Sequence, residues 1–130
     1  GAVDHETLSH LYAGAIYLAV PSLIEGFCLP VLEAKVQGSP IVSRPIPAVQ
    51  ELLDNHDVVA SDFSFDAFVR AMEVGVRNFY GKSHTSSLDV TPDSPYSIEF
   101  ATSRTISVYR EVVAERSGIG VRGTKAEVEN

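Results

Sequence analysis

The unbroken apolar run Ile16-Tyr17-Leu18-Ala19-Val20, stopped by Pro21 and Ser22, most limits what this chain can fold into. A run with no polar alternation suits a strand covered on both faces, as in a parallel sheet. Pro40-Ile41-Val42-Ser43 and Asp57-Val58-Val59-Ala60-Ser61 read as two further short strands. Helical patterns lie around and between them. Asp4 is suited to cap a helix whose apolar residues recur at Leu8, Leu11, Tyr12 and Ala15, with Glu6 favoured in the first turn. Pro30 fits the start of a short helix that runs through Gln37 and stops at Gly38. After the stiff turn at Pro45 and Pro47, a short helix is predicted from Ala48 to Leu53, with Val49, Leu52 and Leu53 inward. Ser64 caps a longer helix with apolar positions Phe65, Phe68, Val69, Met72 and Val76. Residues 81–95, with Ser86, Ser87, Pro92 and Pro95, read as an exposed loop. A last helix is expected from about Ser97 to Arg116, burying Ile98, Ala101, Val108, Tyr109 and Val112, and residues 117–130 as a flexible tail. Strands alternating with helices predict an α/β chain: a Rossmann-like parallel sheet with flanking helices.

Composition narrows the function classes. A length of 130 residues allows one domain. A hydrophobic share of 45% excludes disorder as the main state. The balance of 10 Lys+Arg against 17 Asp+Glu gives a net charge of -7, which argues against a nucleic-acid partner or an anionic lipid surface. Cys28 is the single cysteine, so neither an internal disulfide nor a thiolate metal cluster is available. No apolar run approaches the roughly 20 residues of a membrane-spanning helix. His5, His10, His56 and His84 are scattered without metal-ligand spacing. Glycine-rich dinucleotide and phosphate-loop fingerprints are absent, and Ser22 has no nucleophile-elbow context. The chain opens on Gly1 inside structured-looking sequence, and three strands make a small sheet. The expectation is a portion of a larger doubly wound domain.

The loop Leu23 to Leu29 follows a strand and precedes a helix. In an open parallel sheet, ligands sit beyond the carboxyl ends of the strands. The start of a helix offers backbone N–H groups and a positive dipole end, which suit a phosphate. Gly26 lets a backbone approach a ligand closely. Glu25 lies in the loop and Glu33 in the second turn of the helix, with seven residues between them. A carboxylate accepts hydrogen bonds from two neighbouring hydroxyls, the pattern of a ribose or hexose diol. The alternative is that both glutamates are solvated surface residues. A pair of carboxylates is also compatible with glycoside hydrolysis, but that chemistry gives no role to a phosphate-suited helix start. Lys35 reads as solvated, and Arg44 as a weak phosphate candidate.

The stretch Pro21-Ser22-Leu23-Ile24-Glu25-Gly26-Phe27-Cys28-Leu29-Pro30-Val31-Leu32-Glu33-Ala34 resembles the signature of the family 4 glycosyltransferases, the glycosyl transferases group 1. Cys28 stands where that family usually has glycine. The resemblance continues through Gly38-Ser39-Pro40-Ile41-Val42-Ser43, through the turn with Ala48 and Glu51, and upstream from Gly1 to Ala15. Ser97 through Val112 is similar to the family's closing helix.

The resemblance implies part of the C-terminal domain of a GT-B fold, the domain that binds a nucleotide-sugar donor, over residues 1–116. It implies that Glu25 contacts the transferred sugar as the catalytic residue. The backbone of Gly26, Phe27, Cys28 and Leu29 would hold sugar hydroxyls and the diphosphate, and Glu33 the ribose. It further implies retention of anomeric configuration, no metal or other cofactor, and an acceptor bound by an N-terminal domain outside this chain. The family's basic pair, which neutralises the leaving diphosphate, also falls outside it. The expected location is cytoplasmic, peripheral to the membrane in the full-length protein. The rival readings are a non-catalytic glycosyltransferase-like binding or scaffold domain and an unrelated α/β interaction domain.

Overall fold

A computed structural model describes residues 2–85, 88 and 90–116. The chain divides into two units, residues 1–89 and 90–130. The first contains α1 (His5–Gly14), β1 (Leu18–Val20), α2 (Leu29–Val36), β2 (Ile41–Ser43), α3 (Pro47–Gln50), β3 (Val58–Val59) and α4 (Phe65–Phe79). The strands form one sheet in the order β1-β2-β3. Both pairings are parallel, with Leu18 opposite Ile41, Ala19 opposite Val42, and Val42 opposite Val58. The α/β class and the parallel sheet with flanking helices expected from the sequence are therefore found. Each parallel pair requires a crossover, supplied by α2 between β1 and β2 and by α3 between β2 and β3.

The caps follow local chemistry. The Asp4 carboxylate accepts from Thr7 N at 2.8 Å, and Ser64 Oγ accepts from Ala67 N at 3.1 Å. The first bond holds the Asp4 carboxyl below the usual carboxylate range. Val31, Ala34, Ile41, Val42, Ile46 and Val49 are essentially inaccessible and form the packed interior around β2. The strand β1 is shorter than the apolar run that announces it. Ile16 is exposed, and Tyr17 turns to α4, where its hydroxyl donates to Met72 O at 3.4 Å and its ring meets Phe79 edge-on at 6.3 Å.

Several faces differ from the hydrophobic pattern. In α1, Leu11 is exposed, while Leu8, Tyr12 and Ala15 are half-buried. The helix α3 is shorter than expected, with Val49 and Leu52 buried and Leu53 half-buried. In α4, Phe65 and Val76 are exposed, and the inward face is Ala67, Phe68, Ala71, Gly75 and Phe79. The reason is close approach. A Cβ on Gly75 would lie 2.6 Å from Val42 Cγ2 and 3.1 Å from the Tyr17 ring. Small residues let α4 settle on β2, and a reading that counts only large apolar side chains misses them. Gly75→Ala is therefore expected to destabilise the unit by about 1–3 kcal/mol, the usual cost of overpacking. This reverses the gain of about 1 kcal/mol that alanine brings to an open helix. A urea midpoint that rises on this substitution would show that Val42 yields and that the contact is not tight.

Lys35 also departs from the sequence expectation. It is buried, not solvated, with 4% of its side chain exposed. Its Nζ lies 2.7 Å from both Asp54 Oδ2 and Asp57 Oδ2. Asp57 additionally accepts from Ile41 N at 2.8 Å and from Asp54 N at 2.9 Å. The end of α2, the start of β2 and the start of β3 are thereby tied at one point. Charged side chains are rarely fully buried unless paired, and here the pairing comes from residues 19 and 22 positions away.

The second unit contains α5 (Ile98–Arg116). Ser97 Oγ accepts from Phe100 N at 3.0 Å and donates to Pro92 O at 2.6 Å, which sets the helix start. No residue of α5 is buried. Ile98, Ala101, Val108, Tyr109 and Val112, expected to be buried, are all exposed. Periodicity marks a helix face, but it does not supply the surface that covers it. The described residues of 81–95 hold no helix or strand; most are exposed, while Ser94 is buried. The predicted tail, 117–130, lies outside the described residues. No helix among the described residues is long and apolar enough to cross a membrane.

Candidate functional site

The chain leaves the carboxyl end of β1 at Val20 and enters α2 at Leu29, so the intervening loop occupies the ligand-binding edge of a parallel sheet. Arg44 braces its start. The Arg44 Nη1 donates to Pro21 O at 2.7 Å, and the guanidinium lies over the Phe68 ring at 5.4 Å. The loop then exposes Leu23 and Ile24 before turning through Glu25 and Gly26.

Cys28 makes the turn into the helix. It is the N-cap of α2, at φ 62 and ψ 66, and is the one non-glycine residue with positive φ among the described residues. This backbone region costs an ordinary L-residue about 1–2 kcal/mol and costs glycine nothing comparable. A glycine at this position thus has a backbone reason. Cys28 keeps the same turn and buries its side chain, at 9% exposure. Burial pushes the thiol pKa up, and the nearby Glu25 charge adds to the rise. The thiol is therefore protonated at neutral pH and a poor nucleophile or metal ligand. Val31 N donates to Cys28 O at 2.9 Å, and no side chain caps this helix start. Pro30 removes one further donor from the first turn.

Both glutamates are half-buried, and each is held by a hydroxyl. Ser22 Oγ donates to Glu25 Oε1 at 2.6 Å, the short distance of a charge-assisted bond. Tyr12 OH donates to Glu33 Oε2 at 3.1 Å. Burial, then the Glu33 bond, raise the Tyr12 pKa, so the phenol is a fully protonated donor at neutral pH. Gly26, Phe27 and Leu29 are exposed, and no atom beyond the two chain neighbours lies within 4 Å of where a Gly26 Cβ would stand. The structure therefore gathers Glu25, Gly26, Phe27, Cys28 and Leu29 on one turn, with Glu33 one helical turn further on.

Sequence reasoning missed the two hydroxyls. In the sequence Ser22 reads as a strand stop and a signature residue without nucleophile context, and its three-residue spacing to Glu25 is the available signal of the bond. Tyr12 reads as part of an apolar stripe, and the polar tip of tyrosine is its one signal of a further role. Of the histidines, His5, His10 and His56 are exposed, and His84 is half-buried with its ring against Phe79 at 5.5 Å. Among the described residues no group of three His, Cys, Asp or Glu side chains gathers as metal ligands. A cavity of about 280 Å³ lies at the opposite, amino-terminal end of the strands, lined by Lys35, Ser39, Asp54, Asp57 and His84. It shares no residue with the loop.

Comparison with known proteins gives the family of the chain. The family pattern of the glycosyl transferases group 1 matches residues 1–77, and the chain belongs to that family. The chain is 29% identical over 110 residues to an O-antigen chain mannosyltransferase B of Escherichia coli, covering 85% of this chain and 29% of that protein. It is 41% identical over 51 residues to an MMP alpha-(1->4)-mannosyltransferase of Mycolicibacterium hassiacum, covering 39% of this chain and 12% of that protein. It is 38% identical over 53 residues to the O-antigen chain mannosyltransferase RfbU of Salmonella typhimurium, covering 41% and 15% respectively. The chain thus spans less than a third of the length of each of these relatives. No solved structure matches it significantly.

Proposed function

We propose that this chain is the donor-binding portion of a glycosyltransferase that moves a sugar from a nucleotide-diphosphate sugar to an acceptor, with retention of anomeric configuration. One observation carries the reading. Two half-buried carboxylates, each held by a hydroxyl, flank an uncapped helix start at the carboxyl end of a parallel sheet. Such a helix start favours a diphosphate, and the carboxylates favour diols on either side of it. Glu25 takes the hydroxyls of the transferred sugar. The backbone at Gly26, Phe27, Cys28 and Leu29 holds sugar hydroxyls and the diphosphate, and Glu33 takes the ribose. The open space beside Gly26 suits close approach of a ligand to the backbone.

In this proposal no metal or other cofactor takes part, and the diphosphate leaves toward cations supplied from outside this chain. The acceptor belongs to a separate domain, and the full-length protein works in the cytoplasm, peripheral to the membrane. The relatives named above are mannosyltransferases, which makes a mannosyl donor the first to test.

The test is hydrogen exchange of the full-length protein titrated with GDP, UDP and ADP. At least one nucleotide is expected to slow exchange over residues 25–33. Glu33→Ala is expected to weaken that nucleotide about tenfold, the loss of one or two charge-assisted hydrogen bonds. Saturating concentrations of all three that leave residues 25–33 unchanged would overturn donor binding at this loop.

A further inference from the structure

Tyr12 lies on α1, before the sheet begins, yet its hydroxyl reaches a side chain on α2. The two helices pack against each other, and the bond between Tyr12 OH and Glu33 Oε2 is 3.1 Å long in a partly buried setting. A glutamate on a helix has three rotatable bonds and loses rotamer freedom when it is fixed. A carboxylate already held at one oxygen has lost part of that freedom before any ligand arrives. Pre-organisation of this kind improves affinity without adding a contact to the ligand.

We infer that Tyr12 is a positioning residue for the nucleotide: by holding Glu33 Oε2 it orients the carboxylate and leaves Oε1 to accept from the ribose diol. The inference rests on the ribose role proposed for Glu33. It makes α1 part of the site, although nothing in the loop signature includes this helix. The raised pKa of Tyr12 agrees with a hydroxyl that remains a donor throughout the neutral range. The contrasting role would be a simple staple between α1 and α2, in which the bond supports the fold and is indifferent to the sugar of the nucleotide.

The two roles separate in a binding experiment on the full-length protein. The probes are whichever of GDP, UDP or ADP binds and its 2′,3′-dideoxy counterpart, which lacks the diol. Tyr12→Phe is expected to weaken the ribonucleotide about three- to tenfold, because the unheld carboxylate must then lose its rotamer freedom on binding, and to change the dideoxy nucleotide less than about twofold. Glu33→Gln reports on the same bond from the other side and is expected to remove the same discrimination, while leaving little further effect for Tyr12→Phe. Tyr17→Phe, which removes a hydroxyl bonded to Met72 O, is expected to leave the discrimination intact.

Equal weakening of both nucleotides by Tyr12→Phe, or no weakening, overturns the positioning role while the donor reading stands. Equal binding of the two nucleotides by the unaltered protein overturns the ribose role of Glu33, and the role of Tyr12 with it. Absence of binding by the unaltered protein overturns the proposed function itself.

Discussion

Lys35→Met is expected to lower the stability of the first unit by about 3–5 kcal/mol, the cost of breaking a buried ion pair by removing one partner. The magnitude follows from what is left behind. The Asp57 side chain is only 1% exposed. It would keep its bonds from Ile41 N and Asp54 N but lose the cation 2.7 Å away. Methionine fills the space of the lysine stem, so the loss is electrostatic rather than a cavity. Asp57 Oδ1 accepts from Ile41 N and Oδ2 from Asp54 N, so Asp57→Asn would set its NH2 against one of these donors, and adding it to Lys35→Met is expected to recover only part of the loss although it removes the uncompensated charge. Urea unfolding followed by circular dichroism reads both. A loss below 1 kcal/mol in the single variant would show that the ion pair is no more than a surface contact. The effect also reaches the site. Lys35 is two residues from Glu33, on the helix whose start forms the loop, so a loosened α2 disturbs both ends of the proposed donor site.

Glu25→Gln in the full-length protein is expected to lower kcat about 100-fold or more, with the donor KM changed by less than about fivefold. The range is that of removing one preorganised electrostatic contact to a developing charge. Glutamine keeps the shape and can still accept through its carbonyl oxygen, but it lacks the negative charge. In the proposed retaining transfer, positive character grows on the sugar as the diphosphate departs. A carboxylate beside that sugar is worth more at the transition state than in the bound ground state. Ser22 bonded to Glu25 Oε1 keeps the group in place. A fall in donor affinity at unchanged kcat would instead make Glu25 a ground-state binding residue. Steady-state kinetics with the accepted donor separates these outcomes.

Much of the site was legible because it depends on residues close in sequence. Pro21 and Ser22 end a strand, Pro30 begins a helix, and Glu25, Gly26 and Glu33 lie within one connection. Cys28 was legible as a departure from glycine, but its meaning was not. Only the backbone, at φ 62, shows that this position needs a left-handed turn. The apolar spacing of α4 announced the helix and placed Phe68 and Met72 inward, but it misplaced Phe65 and Val76 and missed the small residues, because the inward surface is set by how closely Gly75 and Ala71 approach β2. The spacing of α5 announced a helix as well, and its apolar residues are exposed all the same.

The sequence by itself determined the α/β class, the parallel sheet, the positions of the helices, and the loop and following helix that carry Glu25 and Glu33. These follow from period, capping and turn chemistry, which act over a few residues. The tertiary structure alone decided that Lys35 is buried between Asp54 and Asp57, that α4 presents its small residues, and that Tyr12 holds Glu33 across 21 positions of chain. Each of these depends on groups distant in sequence meeting at hydrogen-bonding or van der Waals distance. Local pattern does not encode such meetings, because burial and pairing are properties of the assembled surfaces rather than of the segment that contributes to them.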